Sequence, residues 1–93
     1  MIERIVLINI KNEKSLDKVF KETKKVIPTL PGVKSFKTGK LLNNESYNFY
    51  LSMTFNSLED IEKFSPQPKH RDYVDNFLKP LMDNIVAFNV EIK

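Results

Sequence analysis

The segment from Tyr47 to Asn56 alternates more strictly than any other part of this chain. Tyr47, Phe49, Leu51, Met53 and Phe55 are large and apolar or aromatic, and Asn48, Tyr50, Ser52, Thr54 and Asn56 between them are mostly polar. Successive side chains of a β-strand point to opposite sides, so a period of two sends one series into a core and the other outward. A chain holding such a strand must build a sheet with one covered face, and its remaining elements must supply the cover.

The rest of the sequence falls into place around that strand. Ile2 to Ile10 reads as a first strand, rich in Ile, Val and Leu on both faces. A polar turn follows, and Ser15 is the expected N-cap of a helix whose stripe is Leu16, Val19, Phe20, Thr23 and Ile27. Pro28 and Pro31 stop that helix, and Pro31-Gly32 marks a turn. A second strand is expected over Val33 to Leu42, with Gly39 a bend or bulge and Asn43-Asn44 the next turn. Ser57 with Asp60 resembles a helix start for Leu58, Ile61 and Phe64. Pro66 and Pro68 interrupt it, and Val74, Phe77, Leu78 and Leu81 form a further helical face up to the break at Pro80. The last strand, Ile85 to Ile92, aligns Val86, Phe88, Val90 and Ile92 on one side.

The order β-α-β-β-α-β defines an α+β, ferredoxin-like fold: a four-stranded antiparallel sheet with its helices on one face. The helix-side core is expected to take Val6, Ile8 and Ile10, the odd-numbered series of the third strand, and Val86 and Phe88. Ile5, Leu7, Tyr50, Ile85 and Ala87 would then share the opposite face. An apolar patch on an uncovered sheet marks a partner surface, and the commonest solution is two-fold self-association. Sheet against sheet, two copies would make a dimeric α+β barrel.

Several function classes are excluded by composition. With 93 residues the chain suits a single domain, 1–93, and a domain so small gains from burying a further face. It has no cysteine, one histidine and two glycines, so no metal held by a His/Cys cluster, no disulfide and no phosphate-cradling glycine loop can form. Neither a metal nor a cofactor is expected. The net charge is +3 and the lysines concentrate near the first helix, at Lys11, Lys14, Lys18, Lys21, Lys24 and Lys25. Glu13, Asp17 and Glu22 interleave with them, and Asp17–Lys21 has the spacing of a helix-surface pair, so a solvated face is expected. An RNA-binding sheet would display stacking aromatics among basic residues, whereas Tyr50 stands nearly alone on the outer face. No nucleic-acid partner is expected, and no apolar window approaches the ~20 residues that span a bilayer. The first residues lack the pattern of a secretion signal, so a soluble, cytoplasmic protein is the expectation.

A family likeness rests on four segments. They are Arg4-Ile5-Val6-Leu7, then Leu30-Pro31-Gly32-Val33 with Phe36 and Gly39, then Gln67-Pro68-Lys69-His70, and Phe77-Leu78-Lys79-Pro80-Leu81. In this order and spacing the chain resembles the stress-responsive A/B barrel domain (Dabb) family over nearly its whole length. The resemblance implies a homodimeric barrel. Because the family includes both a plant polyketide cyclase and proteins without assigned activity, it does not fix a reaction.

In that cyclase a histidine acts as base in a pocket between sheet and helices, and the position that matches it is His70. The supporting groups differ. The cyclase tyrosine is matched by Phe64, a first-strand histidine common in the family is replaced by Arg4, and the last-strand acidic position falls at Phe88 or Asn89. These departures argue against the same cyclase reaction. The candidate ligand-binding set is Arg4, Val6, Phe36, Phe49, Leu51, Phe64 and Tyr73, with His70 as the candidate catalytic base and Phe20, Phe77 and Tyr47 close by. Arg4 on the helix side either snorkels to solvent or pairs with an acidic side chain such as Asp72 or Asp75, or, pointing into the cavity, it needs a carboxylate or an anionic ligand. His70 either hydrogen-bonds locally at a helix start or serves the pocket.

Three functional readings stay open. One is a binder of a small apolar or aromatic anionic ligand. The second is a non-catalytic stress or interaction protein acting through its dimer. The third is a polyketide-cyclase-like or monooxygenase-like enzyme.

Overall fold

A computed structural model describes residues 1–93. Its strands are β1 (Ile2–Ile10), β2 (Ser35–Lys40), β3 (Phe49–Phe55) and β4 (Met82–Glu91), and its helices are α1 (Leu16–Val26), α2 (Leu58–Phe64) and α3 (Pro68–Asp72). The sheet order is β2-β3-β1-β4 with every neighbouring pair antiparallel, which is the ferredoxin-like arrangement.

Local chemistry sets the ends of the elements. The Asn12 side chain accepts from the Lys14 N–H at 3.0 Å and opens a 3-10 turn, Glu13–Ser15, that runs into α1. Ser15 is therefore inside the helical path and caps nothing, contrary to expectation. The Ser57 hydroxyl does cap α2, accepting from the Asp60 N–H. Gly32 turns the chain with φ of 93°, a left-handed conformation that favours glycine. Gly39 pairs regularly with Tyr50, and the irregularity of the sheet lies between β1 and β4 at Asn9/Ile10. Before β3, the Asn48 side chain both accepts from the Ile10 N–H at 2.8 Å and donates to the Ile10 carbonyl at 3.0 Å. It satisfies backbone groups just where the β1–β3 ladder ends.

Paired residues in a ladder lie on the same side of the sheet, so the register assigns the faces. One row runs Phe36–Met53–Arg4–Asn89, the next Thr38–Leu51–Val6–Ala87, and the third Lys40–Phe49–Ile8–Ile85. These rows carry the buried strand residues Val6, Ile8, Phe49, Leu51 and Met53 and face the helices. Leu16, Val19, Ile27, Ile61, Phe64, Tyr73 and Leu78 close the core above them.

The register corrects the expectation for β4. Ile85 and Ala87 pair with Ile8 and Val6 and face the helix layer, whereas Val86, Phe88 and Val90 pair with Leu7, Ile5 and Glu3 and face outward. β4 is apolar at both parities, so periodicity alone does not choose a side. Pairing with β1 does. The outer face therefore joins Ile5, Leu7 and Tyr50 to Val86 and Phe88, not to Ile85 and Ala87. Val86, Phe88 and Val90 stay well exposed within the single chain, Phe88 at 44%.

Past α3 the helix widens to a π-helix over Tyr73–Leu78 and tightens to 3-10 over Lys79–Leu81. The Lys79 N–H reaches the Val74 carbonyl five residues back, and Pro80 next to it has no N–H to continue the ladder. No helix is long and apolar enough to cross a membrane. On α1 no lysine forms an ion pair, so the Asp17–Lys21 contact expected from spacing is not made.

Candidate functional site

Between the helix side of β1, β3 and β4 and the widened helix Tyr73–Leu78 lies a cavity of ≈ 180 Å³. Arg4, Val6, Leu51, His70 and Tyr73 line it together with Ile8, Ile27, Met53, Arg71, Val74, Leu78, Ile85 and Ala87. Three other residues expected at the cavity lie elsewhere. Phe49 is fully buried beneath the Phe20 ring, with centroids 5.2 Å apart. Phe64 is core, wedged between Phe55 at 5.1 Å and the back of the His70 ring at 4.3 Å. Phe36 sits on β2, at the far end of its row from β4. These rings fill the β2/β3 side, and the open volume is displaced toward β4.

Arg4 is the central charge of the site. Its Nη1 donates to the Asn89 Oδ1 at 3.0 Å across the β1–β4 ladder, and it forms no ion pair. The carboxylates that could have served are engaged. Asp75 holds Arg71 at 2.6 Å and Lys79 at 3.1 Å, and Asp72 accepts from the Asn76 side chain. Partial burial lowers the Arg4 guanidinium from its ordinary value, yet a guanidinium keeps its proton at neutral pH. Arg71, the other cation on the lining, is ion-paired with Asp75, which it shares with Lys79. Of the two lining cations, Arg4 is therefore the one with no carboxylate partner, in a mostly apolar hollow.

His70 sits at the start of α3, where Pro68 occupies the first turn without needing an N–H. Its Nδ1 lies 2.9 Å from the Ser65 carbonyl, so in the neutral ring Nδ1–H donates there and Nε2 keeps its lone pair, with no protein partner. Burial is the largest influence on this imidazole and lowers its pKa, and the positive charges of Arg71 and Arg4 push the same way. The Ser65 bond and Asp75 oppose them without reversing the direction. The local hydrogen bond and the cavity position coexist in the one residue.

Tyr73 presents its ring to the cavity but not its hydroxyl. That group is buried and donates to Thr23 Oγ1, which in turn donates to the Val19 carbonyl at 2.7 Å. Burial pushes the Tyr73 phenol up to about 12, so it is a neutral strut between α1 and the π-helix. The polar chemistry left facing the cavity is one cationic fork of donors and one free imidazole nitrogen. That combination can hold a small anion, or take a proton from a weak acid while a cation stabilises the charge that develops.

Sequence reasoning missed Asn89 as the partner of Arg4, although the register of β1 with β4 makes them neighbours. It also missed the Ser65 carbonyl, a backbone group that side-chain motifs do not reveal.

The fold and this cavity define a ferredoxin-like α+β protein with a sheet–helix pocket. The chain belongs to the Stress responsive A/B Barrel Domain (Dabb) family, whose pattern matches residues 2–92. No curated protein sequence matches it. Among solved structures it is similar to a Dabb family protein with a ferredoxin-like fold from Mesorhizobium loti, at 18% identity and a TM-score of 0.88, covering 99% of this chain and 96% of that one. It is similar to a dimeric ferredoxin-like protein of unknown function from Thermobifida fusca, at 18% identity and a TM-score of 0.83, covering 98% and 90%. It is also similar to the hydroxynitrile lyase of Passiflora edulis, at 22% identity and a TM-score of 0.82, covering 99% and 93%. At these identities the likeness establishes the fold.

Proposed function

We propose that this chain acts as one domain in a homodimeric Dabb barrel and binds a small apolar or aromatic ligand carrying an anionic group in the Arg4–His70 cavity. The observation that carries the reading is Arg4: a half-buried cation with only an amide partner, in a hollow whose remaining walls are mostly apolar. A charge so placed is stabilised by a counter-ion, and the protein supplies none. The volume sets the scale of the ligand. A cavity of about 150 Å³ accommodates benzene, so ≈ 180 Å³ suits one ring or a short acyl chain. His70 adds an acceptor beside the anion site. Phe64 and Asn89, in place of the tyrosine and carboxylate of the cyclase, argue against cyclase chemistry here.

Self-association is supported by the exposed apolar face of β1 and β4 and by the dimers described for relatives such as the Thermobifida fusca protein. A cytoplasmic location fits a chain with no helix able to cross a membrane. A second reading, in which the dimer itself is the functional unit and no ligand binds, is favoured by the fully buried Phe49 and Phe64, which close much of the sheet–helix space.

Thermal shift and a ¹H–¹³C NMR titration of the His70 ring, with benzoate and hexanoate against their uncharged amides, separate the two readings. The carboxylates are expected to raise Tm and move the His70 signals while the amides do neither. If no member of the panel perturbs His70 or Tm, the ligand reading fails and the dimer reading stands.

A further inference from the structure

The outward face of the sheet is divided. On β1 and β4 it is apolar, with Ile5, Leu7, Val86 and Phe88, whereas on β2 and β3 it is polar. At the boundary, one row runs Ser35–Thr54–Glu3 and the next Lys37–Ser52–Ile5. The polar members of these rows ring a cleft of ≈ 160 Å³. One Glu3 carboxylate oxygen accepts from Ser52 Oγ, and the Ser35 and Thr54 hydroxyls bond each other at 2.6 Å. Lys37 makes no side-chain hydrogen bond, and neither it nor Glu3 forms an ion pair within its own chain.

Dimerisation through this face, the reading proposed above and on which this inference rests, takes Glu3 and Lys37 out of water. A charge desolvated without a counter-charge destabilises an interface. These two rows hold one anion and one cation, both unpaired. A two-fold interface repeats every contact with the roles exchanged. One acid and one base per copy can therefore neutralise each other completely across it, twice.

We infer that the partner's Lys37 enters the Glu3 cleft, and that the reciprocal contact closes the second site. An ammonium has three donors, and the cleft offers a carboxylate and the hydroxyl oxygens of Ser35 and Thr54 to receive them. The apolar half supplies affinity, while the cross-subunit pair fixes how one sheet lies on the other. Each cleft is incomplete without the second copy.

Sedimentation equilibrium with native mass spectrometry of mixed variants tests this. Glu3→Lys places two lysines at each site and Lys37→Glu two glutamates, so each variant alone is expected to dissociate at least tenfold more readily than the unmodified protein. Mixed together, the two variants restore an attractive pair at both sites, so the heterodimer should dominate over either homodimer. A pair confined within one chain would give no such preference. Glu3→Gln is the conservative control, weakening the dimer less than reversal, and circular dichroism verifies the fold of each variant. If the unmodified protein is a dimer but the reversals leave it intact, or the mixture shows no heterodimer excess, the inference is overturned and the dimer reading survives. If the unmodified protein is a monomer at micromolar concentration, both fall.

Discussion

Arg4 and His70 should respond differently to substitution, because Arg4 carries a half-buried charge with no carboxylate partner and His70 is bonded locally to the Ser65 carbonyl. Arg4 is half-buried with only Asn89 as partner. Arg4→Met keeps the length of the stem and discards an uncompensated charge, so Tm should equal or exceed that of the unmodified protein. If Arg4 holds an anion as proposed, the same change would remove charge-assisted bonds worth about 1.5–3 kcal/mol. Affinity for benzoate should fall at least tenfold by calorimetry, and a drop in Tm without that loss would contradict the role given to Arg4. For His70 the sign follows from linkage. Its folded pKa lies below its ordinary value near 6.5, so between the two the unfolded chain binds more protons. Its contribution to stability is complete above about 6.5 and is lost as pH falls through the folded pKa. The NMR titration midpoint should lie below 6.5, and His70→Gln should flatten the pH dependence of Tm in that interval. A midpoint at or above 6.5 would refute the buried, cation-flanked description. Arg4 was legible from parity, since it shares the side of Val6 and Ile8. The restraint on His70 was not, because a backbone carbonyl five residues away leaves no mark on a side-chain motif.

At the level of elements, the hydroxyl chain from Tyr73 through Thr23 to Val19 ties the π-helix to α1. Tyr73→Phe deletes one donor and still leaves Thr23 bonded to the Val19 carbonyl, so urea denaturation should report a loss of about 1 kcal/mol. Thr23→Ala should cost more, about 1–3 kcal/mol, since it strands a buried phenol. Ligand affinity should survive Tyr73→Phe, because the hydroxyl points away from the cavity; a large loss would mean that it does not. The glycines form a second contrast. Gly32 has φ of 93°, so Gly32→Ala should cost about 1–2 kcal/mol. At Gly39 a Cβ meets nothing within 4 Å and φ is not positive, so Gly39→Ala should be neutral or stabilising by up to about 1 kcal/mol. Element order was readable because proline, glycine and the two hydrophobic periods punctuate the chain clearly. The start of α1 at Leu16 was legible but its capping side chain was not, because Asn12 and Ser15 are equally good capping types, and only the backbone at Ser15, already helical, decides between them.

For the whole molecule, the consequence of β4 facing as it does is that adjacent residues report on different surfaces. The strict alternation of β3 identified its own faces, but Ile85, Val86, Ala87, Phe88 and Val90 are apolar at both parities. Their assignment comes from long-range pairing with β1 and from the irregularity at Asn9/Ile10, neither of which is written in the local sequence. A charge placed along β4 therefore discriminates in a way composition cannot. Phe88→Asp puts a carboxylate in the outer apolar half beside Ile5. An unpaired charge desolvated in an interface core costs several kcal/mol, so sedimentation should show a monomer, still folded and still able to bind benzoate. Ala87→Asp, one residue away, faces Arg4 and His70 across the cavity wall. There it supplies the anion that Arg4 lacks, so the dimer should persist while benzoate binding is lost and the His70 midpoint rises toward neutrality. If Ala87→Asp instead splits the dimer and Phe88→Asp spares it, β4 presents its other side to the partner, and the cavity must be redrawn without Ile85 and Ala87.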